Sequence, residues 1–200
     1  MTNRVDTLPV YEEATFTPRW IAADALDTTE VHTIPDFALT NQQGEAISQE
    51  TFAGHVYIAD FFFTTCPGIC KDMTENMAKL QATLADHPEV FFLSHSVTPK
   101  VDTVEVLAAY GKLHGVDPNR WHLATGDRDL IYTLGRDHYF VEEDQGLDKS
   151  PDDFLHTENF VLIDDRRRIR GIYNGLNPTA LSQLATDVAT LEAERKKRIR

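Results

Sequence analysis

A nearly continuous apolar segment at residues 55–64 constrains the fold of this chain more than any other feature. Its sequence is HVYIADFFFT, which contains a single acidic residue. Such a run is typical of a β-strand that is buried on both faces, in a sheet with parallel neighbours. The apolar positions after it change to helical spacing and form one face, with Ile69, Met73, Met77, Leu80 and Leu84. The two segments together predict the first strand and crossover helix of a parallel sheet.

The remaining patterns extend this unit on both sides. Residues 37–47 predict a hairpin around Gly44, and residues 90–97 and 121–124 predict two further strands separated by a helix. Asp102 and Thr103 are candidate caps for that helix, and Asp127 is a candidate cap for a short one. Strands at 160–163 and 169–173 flank a turn, and Asn177-Pro178 begins a final helix. The chain therefore predicts an α/β fold, a thioredoxin-like three-layer sandwich with an N-terminal extension and hairpin and a C-terminal ββα unit.

The length of 200 residues is that of one domain. Residues 1–33 are polar and irregular and predict an N-terminal extension, residues 34–195 the thioredoxin-like domain, and residues 196–200 a basic tail. No apolar stretch approaches the roughly 18 residues of a membrane span. No basic stretch followed by an apolar one opens the chain, so we expect no signal peptide within it.

The charge of the chain argues against nucleic acid as a partner. The net charge is −13, from 19 basic and 32 acidic residues. Nine of the basic residues lie in two clusters, at 166–170 and 195–200, which we expect at an exposed turn and at a helix C-terminus. The rest of the surface would repel phosphates and attract cations or metal ions.

Both cysteines of the chain, Cys66 and Cys70, lie between the buried strand and the first helix, in TTCPGIC. A thiol at a helix N-terminus has a lowered pKa, and residues four apart on a helix lie about 5–6 Å apart at Cβ. The pair can therefore form a disulfide or bind one metal ion. An inert buried pair is the remaining alternative.

A third ligand would favour metal over thiol chemistry, and His156 is the strongest candidate. It precedes the strand at 160–163, whose start should lie against the N-terminus of the first helix. His95, at the end of the second strand, is a weaker candidate. Met73 and Met77 could donate sulfur, but their helical spacing favours core packing.

Asp60 interrupts the buried strand six residues before Cys66. One interpretation is a buried carboxyl group that moves protons for the thiols. The other is a polar residue that is satisfied by a neighbouring loop or that points to the edge of the sheet.

The segment DFFFTTCPGIC, followed some ninety residues later by His156-Thr157, resembles the Sco/SenC family of copper-binding proteins that assemble cytochrome c oxidase. The resemblance runs from about Ile34 to the final helix. It implies a thioredoxin-like fold and a copper ion, Cu(I) or Cu(II), bound by Cys66, Cys70 and His156. Soft thiolates with one imidazole suit copper, and a structural zinc site would want a fourth ligand.

Three positions depart from the family pattern. Lys71 follows the second cysteine where many members have proline, and Leu155 precedes His156 where many have aspartate. Ser96-Val97-Thr98-Pro99 replaces a segment that usually has aspartate before proline. These departures bear on the surroundings of the copper ligands.

The resemblance implies a non-enzymatic copper metallochaperone that helps to assemble the copper centre of cytochrome c oxidase. Its partners would be the copper-site subunit of the oxidase or another copper chaperone, and we expect a monomer. The protein would act in the periplasm, tethered to the inner membrane by an anchor that this chain does not contain. The alternative is a thiol–disulfide oxidoreductase in which Cys66 and Cys70 are a redox-active pair that reduces cysteines of a target. The three-residue spacer, where such enzymes have C-x-x-C, favours metal.

Overall fold

The computed structural model describes residues 7–22, 24–66, 68–142, 155 and 157–198. Seven strands and four α-helices are found among these residues. The strands are β1 Ala38–Thr40, β2 Ala46–Ser48, β3 Val56–Phe62, β4 Val90–Ser96, β5 Trp121–Ala124, β6 Asn159–Ile163 and β7 Ile169–Asn174. The helices are α1 Ile69–Thr83, α2 Val104–Leu113, α3 Arg128–Thr133 and α4 Pro178–Arg198.

The predicted buried strand is the centre of the main sheet. All seven residues of β3 are buried, because β3 has a strand on each side and packing on both faces. The sheet has the order β5-β4-β3-β6-β7, in which β4 runs parallel to β3 and to β5. β6 and β7 are antiparallel to their neighbours and close the sheet. The predicted parallel core with a C-terminal hairpin and helix is confirmed.

Two hydrophobic cores cover the two faces of the sheet, which gives the predicted three layers. On one face, α1 and α4 contribute Met73, Met77 and Leu184, and α2 contributes Leu107. On the other face lie the β1–β2 hairpin, α3, and the π-helical turn Leu134–His138 with the residues that follow it. The two faces take alternate residues of β3, so Ile58 packs towards α1 and Tyr57 towards the hairpin.

The expectation for the arginine cluster at 166–170 was only partly correct. Arg168 and Arg170 are buried rather than displayed on a turn. Arg170 pairs with Asp164 at 3.0 Å and with Glu194 of α4 at 2.9 Å, and Arg168 pairs with Asp164 at 2.8 Å. Arg170 also donates to two backbone carbonyl groups of the N-terminal segment. The cluster joins the hairpin β6–β7, α4 and the N-terminal segment, so its charges serve the fold.

Helix α4 ends at Arg198 with four basic residues in its last turn, which is the favourable end of the helix dipole for cations. Among the described residues, no helix is both long and apolar enough to cross a membrane. The division into an extension, a domain and a tail stays a prediction.

Candidate metal and redox centre

Cys66 and Cys70 lie where β3 leaves the sheet and α1 begins. β3 ends at Phe62, and Gly68 precedes the first residue of α1, Ile69. Cys66 is half-buried and Cys70, in the first turn, is buried with 4% of its surface exposed. Both cysteines are free thiols. The predicted position of the pair at the helix start is therefore the observed one.

The sulfur of Cys66 takes the place of a capping side chain at the start of α1. It accepts hydrogen bonds from the thiol of Cys70 and from the backbone N–H groups of Gly68 and Cys70. Burial on its own would raise the pKa of Cys66, but these hydrogen bonds outweigh it, and the pKa is lowered. They satisfy donors that a helix N-terminus leaves unpaired, and they favour the thiolate.

Cys70 has the opposite electrostatic environment. Burial raises its pKa to about 12, and the hydrogen bond that it donates to Cys66 and the nearby Asp60 act in the same direction. One thiol of the pair is therefore prone to ionise and reachable from solvent, and the other is a buried proton donor.

Asp60 lies inside the sheet on the face that carries α1. Its side chain is 1% exposed, and burial raises its pKa to about 7 although the hydroxyl group of Ser94 donates to it. The indole N–H of Trp121 in turn donates to the Ser94 oxygen at 2.9 Å. Within the described part of the chain, Oδ1 of Asp60 has no hydrogen-bond partner. Of the two interpretations, satisfaction by a neighbouring loop is wrong, because the one described partner lies in strand β4.

The sequence predicts that Asp102 helps to cap α2, but its carboxylate points to the cysteine loop. Thr103 alone is the N-cap of α2, accepting from the N–H of Val106. The carboxylate of Asp102 accepts from the hydroxyl group of Thr64 at 2.5 Å and from the backbone N–H of Thr64 at 3.3 Å. It also accepts from the hydroxyl groups of Ser96 at 2.5 Å and Thr98 at 3.0 Å.

The segment 96–99 has threonine, and not aspartate, before its proline. In the structure, Ser96 and Thr98 of that segment bind the carboxylate of Asp102. The hydroxyl groups of this segment therefore contact the carboxylate of Asp102, which lies four residues after Thr98.

The predicted third ligand, His156, lies outside the described residues. Its neighbours are described. Leu155 is buried in the apolar core that carries the β1–β2 hairpin, and Thr157 donates to the carbonyl group of Val141 at 2.6 Å. Aspartate at position 155, which the family resemblance implies, would place a carboxylate in this apolar core.

His95 is not positioned to bind a metal ion together with the two cysteines. Its ring stacks on Phe61 at 4.4 Å, in the core on the face opposite α1. Burial lowers its pKa to about 4, and its Nδ1 bonds the backbone carbonyl group of Asp60 at 3.1 Å. It is a neutral core histidine.

Met73 and Met77 pack in the core beneath α1 and are fully buried. Over the ranges that the structure covers, no three His, Cys, Asp or Glu side chains come together as a metal site. The two adjacent thiols fit a soft metal ion by their chemistry, and they are the described part of the candidate centre.

The sequence profile of the family described as SCO1/SenC matches residues 26–192. This chain belongs to the SCO1/SenC family. The match extends eight residues upstream of Ile34, so it includes part of the segment predicted to be an extension.

Solved structures of SCO1/SenC proteins are similar to this one over most of its length. A SCO1/SenC family lipoprotein from Bacillus anthracis is 31% identical, with a TM-score of 0.71 over 80% of this chain and 95% of its own. BsSco, described as having a disulfide switch and as a member of a family of cytochrome c oxidase assembly proteins, is 28% identical, with a TM-score of 0.67 over 80% of this chain and 93% of its own. These likenesses confirm the thioredoxin-like fold of the SCO1/SenC family for this chain.

Copper has been seen in a more distant member. Yeast Sco1 with copper bound has a TM-score of 0.60 to this structure, with 19% identity over 80% of this chain and 95% of its own. At this identity the likeness to our chain is one of fold. Among these structures, copper is described for yeast Sco1, and a disulfide switch and membership of an oxidase assembly family are described for BsSco.

Proposed function

We propose that this protein is a copper metallochaperone for the copper centre of cytochrome c oxidase, with copper as its cargo. Cys66, Cys70 and His156 are the proposed ligands. The observation that carries the proposal is the hydrogen-bonded pair of free thiols at the start of α1, one of them poised to ionise. Two adjacent soft donors select Cu(I), and an added imidazole would extend binding to Cu(II).

The exposure of Cys66 and the number of proposed ligands favour a site for a transported copper ion over a structural metal site. Cys66 is reachable from solvent, so a partner can approach the ion from that side. Three protein ligands would leave a coordination position open, whereas structural sites are closed by four. The proposed recipient is the copper-site subunit of the oxidase, or another copper chaperone that passes the ion on.

The proposed location is outside the cytoplasm, on a membrane tether. The relative from B. anthracis is described as a lipoprotein, which supports such a tether in the family. A pair of thiols that binds metal when reduced and forms a disulfide when oxidised suits a compartment where disulfides persist.

A thiol–disulfide reductase is the second candidate, and the opposite pKa shifts of the two cysteines favour it. The thiolate of Cys66 would attack one sulfur of a target disulfide and expel the other as a thiolate. Cys70 would then give up its proton and attack Cys66 in the mixed disulfide, which releases the reduced target and leaves a Cys66–Cys70 disulfide. Each cycle moves two electrons to the target.

Copper titration of the fully reduced protein tests the proposal. We expect one tightly bound Cu(I) per chain, lost in Cys66→Ser and in Cys70→Ser while thermal unfolding shows both variants folded. Oxidation to the disulfide should abolish binding as well, because each sulfur offers its electrons to copper only when it is reduced.

A peptide with an internal disulfide, added to reduced protein, tests the second candidate in parallel. Peptide reduction without any copper binding would replace the metallochaperone by the reductase. Stoichiometric copper binding by the fully oxidised protein would show that the cysteines are not the ligands.

A further inference from the structure

One fully buried carboxylate joins the cysteine loop to the loop on the neighbouring strand. Asp102 is 0% exposed and lies just before α2. Its four hydrogen-bond donors come from two separate parts of the chain, Thr64 on one side and Ser96 and Thr98 on the other. Thr64 and Asp102 are 38 residues apart in sequence. These hydrogen bonds therefore connect two loops that are distant in sequence, and we call this set of contacts the tie.

The tie acts on the short segment that carries Cys66. The backbone N–H of Val97 donates to the carbonyl group of Phe62 at 2.9 Å, which fixes the end of β3 against β4. Thr64, two residues on, is fixed by Asp102 through both its N–H and its hydroxyl group. The N–H of Cys66 donates to the carbonyl group of Phe63 at 3.3 Å. The path from the sheet to Cys66 is thus short, and hydrogen bonds hold it at Phe62, Thr64 and the N–H of Cys66.

The carboxylate of Asp102 is buried away from water. Within the described ranges, the hydrogen-bond donors to the Asp102 carboxylate are neutral hydroxyl groups and one backbone N–H. A buried carboxylate without a cation is costly, and charge-assisted hydrogen bonds are what offset the cost. Two of those four bonds come from one residue of the cysteine loop, so the favourable energy depends on that loop keeping its position.

We propose that Asp102 is a positioning residue for the cysteine pair, and that it acts through Thr64. The inference rests on the proposed role of Cys66 and Cys70 as a pair that binds copper or forms a disulfide. The tie holds the sulfur of Cys66 beside that of Cys70, so that neither copper binding nor disulfide formation has to order the loop first. Such preorganisation raises the effective concentration of one thiol at the other.

The cleanest test removes one hydrogen bond at nearly constant shape. Thr64→Val deletes the hydroxyl donor, Thr64→Ser keeps it, and Asp102→Asn weakens the acceptor. Thr65→Val is the matched control, because it makes the same chemical change one residue later. The side chain of Thr65 is exposed and has no hydrogen bond within the described part of the chain.

Two properties of the pair are measured on the full chain. The first is the equilibrium constant for the Cys66–Cys70 disulfide in dithiothreitol buffers, read by thiol labelling and mass spectrometry. The second is the affinity for Cu(I) in competition with a colorimetric chelator. We expect Thr64→Val and Asp102→Asn to lower both roughly tenfold, a modest share of what exact positioning can contribute. Thr64→Ser and Thr65→Val should match the wild type.

Thermal unfolding of the same variants separates positioning from simple stability. Asp164→Asn supplies the comparison, because Asp164 is also a buried carboxylate but lies in the arginine cluster away from the cysteines. It should lower the unfolding temperature and leave the disulfide equilibrium unchanged. A Thr64→Val protein that loses stability but keeps both pair properties would overturn the inference, as would an equal effect of Thr65→Val.

The disulfide measurement also keeps this inference apart from the proposed function. If wild-type protein binds no copper, the metallochaperone proposal fails, while the disulfide equilibrium still decides the role of Asp102. If wild-type protein binds copper and the variants behave like it in both assays, only the role of Asp102 fails.

Discussion

The thiol of Cys70 donates a hydrogen bond to the sulfur of Cys66, and the two cysteines shift their pKa values in opposite directions. The difference arises from the position of each cysteine relative to the start of α1. Cys66 lies before the helix and collects N–H donors, whereas Cys70 lies inside the first turn and is desolvated. The two thiols therefore differ in pKa and in exposure, and this asymmetry leads to the first prediction.

Cys66 should be alkylated faster than Cys70. In reduced protein at neutral pH, iodoacetamide should modify Cys66 at least about tenfold faster, because the thiolate is the nucleophile and Cys66 is the more exposed. Peptide mapping by mass spectrometry over a time course measures both rates. The same protein unfolded in urea is the control, and there the rates should converge. Faster labelling of Cys70 in the folded protein would contradict the assigned asymmetry.

His156→Ala should weaken Cu(II) binding and spare Cu(I) binding. The imidazole favours Cu(II), whereas two thiolates are sufficient for Cu(I). Loss of the ligand should cost more than roughly tenfold in Cu(II) affinity, since even loss of an outer partner costs 10–100-fold. Absorption spectra of the Cu(II) form and chelator competition measure the two states. His55→Ala is the control, because His55 lies before β3, at the far end of the strand from Cys66. Identical Cu(II) spectra for His156→Ala and wild type would remove His156 from the ligand set.

Asp60 should make the protein less stable as the pH rises from about 4 to about 7. The pKa of Asp60 is about 7 in the folded state against an ordinary value of 3.8, so the native state holds its proton over this window while the unfolded state releases it. The unfolding free energy therefore falls with rising pH, by up to about 4 kcal/mol for a shift of three units.

The variant Asp60→Asn isolates this effect. The unfolding free energy of the variant minus that of wild type should increase across the same window, as measured by urea denaturation at several pH values. Asp127→Asn removes a carboxylate that caps α3 at an exposed position and is the control. A difference between Asp60→Asn and wild type that does not change with pH would show that the pKa of Asp60 is the same in the folded and unfolded states.

Met77 should matter for stability and not for copper. It is fully buried under α1, so Met77→Ala should lower the unfolding free energy by about 2–5 kcal/mol through lost contacts and a cavity. Met77→Leu, which conserves volume, should cost less than about 1.5 kcal/mol. Urea denaturation measures both, and copper stoichiometry should be one in each folded variant. Loss of copper by folded Met77→Leu would make the methionine a ligand.

Much of the fold could be read from local patterns because each pattern has one dominant physical cause. The apolar run at 55–64 is β3, since only a strand in the middle of a covered sheet buries every side chain. The spacing from Ile69 to Leu80 gives α1, and Asn177-Pro178 gives the start of α4. The position of Cys66 and Cys70 at the start of α1 follows from the same boundary between two periodicities.

Neither the local sequence patterns nor the described residues establish the third metal ligand. His156 was selected by its place before β6 and by resemblance to a family, and it lies outside the described residues. Its assignment stays a prediction. His95, by contrast, was placed correctly at the end of β4, but only the tertiary structure decides which face of the sheet its ring occupies.

The sequence by itself determined the order of the elements and the chemistry available at the cysteine loop, because periodicity, capping and residue type act over a few neighbours. The tertiary structure decided what the polar residues do. Asp102 resembles a helix cap in sequence, yet its partner Thr64 comes from 38 residues earlier. Arg170 resembles a residue of an exposed turn, yet it is buried between two carboxylates. A buried charge takes whatever partners the fold brings within reach, and those partners are distant in the chain.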